Sequence, residues 1–148
     1  MAIRFYHVDE PYGCFSNFSR HSFHLDGVLW PTSEHYFQAQ KFTGTPYVEK
    51  VWAAESPREA FNLGRDKSLP LRSDWDQVKD NIMRRAVLAK FETHADIREL
   101  LLSTGDEEII EASPVDGYWG EGKDGKGKNR LGKILMEVRS ILRDQKNG

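Results

Sequence analysis

Leu131, Ile134, Leu135, Val138, Ile141 and Leu142 recur at the i, i+3, i+4, i+7 spacing of a helix with one apolar face. A stripe of that length must be covered by other elements, so the chain has to build a layered core around its last helix. Helix signals accumulate before it. Thr32 or Ser33 can cap a helix running through about Phe42, with Gly44 as its end, and a second covers residues 46–53. Ser56-Pro57-Arg58-Glu59 reads as a capping box with proline at the first helical position, and Gly64 as the stop. Ser73, with Asp76 three residues on, opens a helix to about Phe91 that turns Val78, Ile82, Ala86 and Ala89 inward and Lys79, Arg85 and Lys90 toward water. Thr93 and Asp96 repeat the start signal for a helix ending before Gly105.

Strand signals are fewer. Ile3-Arg4-Phe5-Tyr6 alternates, and Asp26-Gly27 makes a two-residue hairpin turn that pairs Leu25 with Val28 and Phe23 with Trp30 on one face. A further short strand is expected at residues 108–111. Strands and helices do not alternate, which excludes a dinucleotide-binding doubly wound sheet. The expectation is one α+β domain over residues 1–148, mostly α-helical, with a small N-terminal β ribbon.

Composition narrows the function classes. A net charge of −2 gives no bulk electrostatic grip on DNA, although four lysines and one arginine face one aspartate between Lys123 and Lys133. The single Cys14 excludes an internal disulfide and a thiolate zinc cage. No apolar run suits a bilayer span and no signal-peptide layout opens the sequence, so a cytoplasmic protein without membrane contact is expected.

Residues 33–42 depart from a surface pattern. Tyr36, Phe37, Ala39 and Phe42 surround the helix axis, which implies burial on most sides. Yet Glu34, Gln38 and Lys41 share one face, and buried polar groups need partners. One reading is a polar seam toward solvent. The other is a pocket wall, with Glu34 as general acid or base and a desolvated Lys41 as nucleophile toward an aldehyde carbon. About 10 Å of helix rise separates the two, enough to contact opposite parts of a bound sugar. His21, His24 and His35 lack the spacing of a zinc helix, and no metal site is assigned.

Residues 113–130 combine Asp116 and Trp119 with a run of glycines and lysines that meets the last helix. That composition suits either a flexible surface loop or an anion-binding one. Gly120 to Lys126 matches the spacing of a Walker A loop, but Gly127 stands where Ser or Thr would hold magnesium, so a nucleotide triphosphatase is rejected. Phe15-Ser16-Asn17-Phe18, Trp75 and Trp119 are core aromatics with neighbours, or groups that stack on and hydrogen-bond to a planar ligand.

Four stretches, in order, together resemble the YbiA-like or NADAR family, and in particular its bacterial single-domain members. They are Phe15-Ser16-Asn17-Phe18; Trp30-Pro31-Thr32-Ser33-Glu34-His35-Tyr36-Phe37-Gln38-Ala39-Gln40-Lys41-Phe42; Met83-Arg84-Arg85-Ala86 with Lys90-Phe91; and Trp119-Gly120 followed by Gly127-Lys128-Asn129-Arg130-Leu131-Gly132. The resemblance implies N-glycoside hydrolysis without a cofactor, on ribosylamino-pyrimidine phosphates of riboflavin synthesis or on ADP-ribosylated guanine. It implies activity roles for Glu34, Trp75 and Asp116, and a Schiff-base lysine at Lys41. Asn17, Phe18, Trp75, Trp119, Gly120, Lys128 and Asn129 would then bind the substrate, a small nucleoside phosphate, an ADP-ribosyl compound or ADP-ribosylated nucleic acid. A non-catalytic module that binds ADP-ribose is the competing reading.

Overall fold

The computed structural model describes residues 1–148. Strand β1 (Ile3–Phe5) is followed by a 3-10 turn at Gly13–Phe15 and by a hairpin of β2 (Phe23–Leu25) and β3 (Val28–Trp30). Helices α1 (Ser33–Ala39), α2 (Tyr47–Trp52), α3 (Pro57–Gly64), α4 (Trp75–Thr93) and α5 (Ala95–Ser103) come next. Strand β4 (Ile109–Glu111) and helix α6 (Arg130–Asn147) complete the chain. The mostly helical α+β architecture is the expected one, and no helix is long and apolar enough to cross a membrane.

The hairpin takes the expected register, Phe23 opposite Trp30 and Leu25 opposite Val28. Its turn holds both Asp26 and Gly27 at positive φ, 55° and 77°, the twist that suits a two-residue connection. Asp26 is tied back to the helices by the Tyr36 hydroxyl at 2.9 Å and by Arg85 at 2.6 Å. Phe23 and Trp30 are buried against Tyr36, while Val28 at the turn end stays exposed.

All seven residues of α1 are buried. Thr32 caps it by accepting the His35 N–H at 3.1 Å, and a 3-10 turn at Gln40–Phe42 prolongs it before Gly44, at φ 81°, reverses the chain. Helices α2, α3 and α4 pack around it, and α6 lies against α4 with Leu131, Ile134, Leu135, Val138 and Leu142 inside. Each such side chain contributes roughly 1.5–3 kcal/mol by leaving water. The N-terminal strand enters the same core through Phe5, whose ring meets Phe15 edge-on at 5.9 Å.

Strand β1 pairs in parallel with β4, Ile3 opposite Ile109, so the two strands of this sheet are far apart in sequence. Asn129, in the left-handed region at φ 51°, clamps β4 to α6. Its Oδ1 accepts the Glu111 N–H at 2.9 Å and its Nδ2 donates to the Ile109 carbonyl at 2.9 Å.

Three local expectations are corrected. Lys90 does not reach water: it is 1 % exposed and donates to the Ser16 carbonyl at 2.9 Å, because its place on α4 faces the 3-10 turn rather than solvent. Helix α4 begins at Trp75 with Asp74 as N-cap, not Ser73, and the Asp74 carboxylate is taken by Arg72 instead of a backbone N–H. Helix α5 has His94 as its N-cap, since the Thr93 hydroxyl bonds back to Ala89 within α4. Gly64 ends α3 as expected but without a positive φ, so its lack of a side chain answers a different need, the packing of Gln38.

Candidate active site

Helix α1 is the floor of the site. Its first turn is fixed by Asn17, whose carbonyl accepts the Glu34 N–H at 3.2 Å and whose Oδ1 accepts the Ser33 hydroxyl at 2.8 Å. Glu34 is 7 % exposed, and its carboxylate accepts one hydrogen bond, from the Gln38 Nε2 at 2.8 Å. Burial pushes the Glu34 carboxyl up to about 7, with the nearby Asp116 charge adding to the rise and Gln38, Lys41 and Arg58 opposing it. At neutral pH such a group can hold a proton and give it up, as a general acid must.

Further along the same face, Lys41 extends between aromatic rings, its ammonium 5.6 Å from the Trp75 ring and 5.9 Å from that of Phe37. It donates to the Gly64 carbonyl at 3.0 Å, at the C-terminal end of α3. Burial pushes its pKa down, partly offset by Glu34, while Arg65 and Lys79 push the same way as burial. A partly desolvated lysine of this kind is the form suited to attack carbon.

Gly64 touches both groups. A Cβ there would collide with the Gln38 side-chain amide, whose Oε1 is buried without a partner. The missing side chain therefore makes room for the amide that holds Glu34, while the same residue's carbonyl holds Lys41.

The opposite wall comes from the loop between β4 and α6. Ser113 accepts the Asp116 N–H at 3.0 Å, and Asp116 Oδ1 in turn accepts the N–H groups of Tyr118 and Trp119 at 3.0 and 2.9 Å. This turn fixes the carboxylate at the cleft mouth and leaves its second oxygen without a protein donor. Trp119 meets Phe37 edge-on at 5.2 Å, and Phe37 contacts Trp75 at 5.0 Å, so α1, α4 and the loop are joined by rings. Together these groups enclose a cleft of about 480 Å³, with Phe37, Gln38 and Lys41 on one side and Asp116, Tyr118 and Trp119 on the other.

The expected site residues divide accordingly. Lys41, Trp75, Asp116 and Trp119 line the cleft, and Glu34 lies beneath it behind Gln38. Asn17 sits under the start of α1, and Phe18 packs on Phe61 and Arg58. Gly120 packs against Glu111, Asn129 clamps β4, and Lys128 lies 5.4 Å from the Tyr118 ring. These five are not brought to the cleft wall. Nor are the amides at the start of α6 free for an anion. Those of Lys128, Asn129, Arg130 and Leu131 donate to the carbonyls of Gly117, Gly120, Tyr118 and Trp119 at 2.8–3.0 Å. The loop is therefore an ordered wall of the site.

Sequence reasoning left out Arg65, Phe61 and Lys79, which line the cleft, and Glu111 behind it. Burial, with the charges of Asp116 and Glu34, pushes the Glu111 carboxyl up to about 8, and its Oε2 is buried without a partner. Arg65 follows directly on the Gly64 stop signal, the one cue that could have placed it at the end of α3. Glu111 carried no cue, because its neighbours come from distant parts of the chain.

Fold and site together define a small α+β domain whose buried central helix carries an acid and a lysine to the foot of an aromatic cleft. The chain belongs to the NADAR domain family, whose model matches residues 4–143. It is 54 % identical to an N-glycosidase of Nostoc punctiforme over 97 % of this chain and 94 % of that protein. It is 51 % identical to the N-glycosidase YbiA of Escherichia coli, over 97 % and 90 % of the two chains. The NMR structure of E. coli YbiA superposes with a TM-score of 0.91 at 50 % identity, covering 98 % of this chain and 86 % of that one. A riboflavin biosynthesis protein of Vibrio vulnificus is 44 % identical over 96 % of this chain, which spans only 39 % of that protein.

Proposed function

We propose that the chain hydrolyses the N-glycosidic bond between a base and a ribose phosphate, with Lys41 as nucleophile and Glu34 as proton donor. The observation that carries this reading is the convergence, at one cleft, of a carboxyl raised to about 7 by burial and a lysine lowered by burial. Relatives above 50 % identity that match nearly the whole chain are N-glycosidases by name, so N-glycosyl hydrolysis is the activity this chain carries.

The steps balance without a cofactor. A ribosylamine opens to an imine at C1, and the Lys41 lone pair adds there to give a geminal diamine. The base amine leaves with the proton of Glu34, and the nitrogen lone pair of Lys41 closes the C1=Nζ bond. Water then adds to C1, with Asp116 or Glu34 taking its proton, and the C–Nζ bond breaks to release the sugar aldehyde and regenerate the amine. Tyr118 and Trp119 border the side of the cleft that receives the departing base.

A pyrimidine base is the substrate favoured here, because the Vibrio vulnificus relative is a riboflavin biosynthesis protein by name. An ADP-ribosyl compound is the second reading, favoured by the continuation of the cleft beyond Lys41. Borohydride reduction during turnover of a ribosylamino-pyrimidine phosphate should leave the protein heavier by one reduced sugar phosphate on Lys41, read by mass spectrometry. The adduct should be absent from Lys41→Ala; full base release by that variant would sink the lysine mechanism. A non-catalytic binding module would show no base release in the wild type, whereas an enzyme's Glu34→Gln should bind substrate and fail to release base.

A further inference from the structure

Past Lys41 the cleft continues into a second lobe of about 370 Å³. Lys41, Arg65 and Trp75 border both lobes, so they stand on the ridge between them. The second lobe adds Lys67 and an apolar wall of Phe42, Leu69 and Leu71. Nine cations of the protein, counting the N-terminus, form ion pairs, but Arg65, Lys67 and Lys41 form none. The one carboxylate in this lobe, Asp66, is turned onto its own chain, where Oδ1 accepts the Ser68 N–H at 2.9 Å and its hydroxyl at 2.6 Å. The Arg65 guanidinium lies over the Phe61 ring, 5.1 Å from its centroid, with its forked N–H donors making no hydrogen bond or ion pair.

We infer that Arg65 and Lys67 form the subsite for the phosphate end of the substrate, in the lobe opposite the base. This rests on the hydrolase reading for its orientation. With C1 at Lys41, the base lies against Tyr118 and Trp119, and the sugar's far end passes over the ridge into the cationic lobe. The alternative place for a phosphate, the start of α6, has its amides consumed by the loop carbonyls. Two sources share this chemistry: a monoester on the ribose, and the pyrophosphate of an ADP-ribosyl group.

Titration calorimetry with ribose 5-phosphate, ADP-ribose and unphosphorylated ribose separates them. The wild type should bind at least one of the two phosphorylated probes well above ribose, and Arg65→Gln/Lys67→Gln should weaken that binding about 100-fold, roughly tenfold per cation. Loss confined to ribose 5-phosphate assigns the monoester, and loss larger for ADP-ribose assigns the pyrophosphate. Both residues border open space, and matching circular dichroism and thermal midpoints would show that the double variant is folded. On turnover, the same variant should raise KM for a phosphorylated ribosylamine far more than for its dephosphorylated counterpart. Binding of the phosphorylated probes that is equal to that of ribose, or equal in wild type and double variant, would overturn the subsite. If phosphate binding behaves as expected but the wild type releases no base, the hydrolase reading fails and the subsite stands.

Discussion

Glu34 and Lys41 sit in opposed fields. Burial favours the neutral form of each, while their mutual attraction favours the charged pair. The proposed chemistry needs the neutral pair, acid protonated and amine free, and burial is the larger influence on both. For Glu34 the consequence for stability has a definite sign. Its carboxyl rises from the ordinary 4.5 to about 7 on folding, so the folded state binds the proton more tightly. Its contribution to stability is therefore complete below about pH 4.5 and is lost as pH climbs toward 7. Glu34→Gln removes that dependence. Between about pH 5 and pH 8 the variant should gain up to roughly 3 kcal/mol relative to wild type, read as urea midpoints at the two pH values. Wild-type base release should lose activity above about pH 7 as Glu34 ionises, after a rise at lower pH as Lys41 gives up its proton, and at the wild-type optimum the variant should be at least about 100-fold slower. A stability difference that does not change with pH would remove Glu34 from this role.

Among the elements, α3 is the one whose importance is least visible in its own sequence. Its last residue carries the Lys41 contact on a carbonyl and gives the Gln38 amide room by having no side chain. Gly64→Ala should displace Gln38, release Glu34 from its single hydrogen bond and cost about 1–3 kcal/mol through overpacking. The telling measurement is the pH profile of base release, whose limb near pH 7 should move, whereas a loss of stability alone would leave its position fixed. The hairpin and α1 are legible in the residues themselves: the Asp-Gly turn dictates the hairpin register, and the line of Glu34, Gln38 and Lys41 within an otherwise apolar helix marks the pocket. Gly64 reads locally as a simple stop, because a close approach from a distant helix leaves no trace in local spacing. The same limit hides Lys90, whose partner at Ser16 lies 74 positions away.

At the scale of the whole molecule, the chain closes on itself through β1 and β4. A three-residue parallel pair is weak in isolation, and its stability comes from Phe5 and Ile109, both buried, and from the Asn129 clamp. Phe5→Ala should therefore destabilise the entire domain by about 3–5 kcal/mol, with a single cooperative urea transition and an unchanged pH profile for any residual activity. A local loss of β1 alone, seen as two transitions, would contradict this. Sequence periodicity can foresee both strands but not their partnership, since nothing local relates residue 3 to residue 109. Arg65 in the cleft and Glu111 behind it escape for the same reason. A long-range site is read from its one anomalous segment, and its other walls appear only when the chain is folded.

The enclosure of α1 has a further consequence for motion. A helix with every residue inside the core has no fraying surface, so its amide protons meet solvent only when the whole domain opens. Glu34, the group assigned as the acid, thus shares the lifetime of the native state itself. Substrate therefore arrives at an acid that the fold already holds in place.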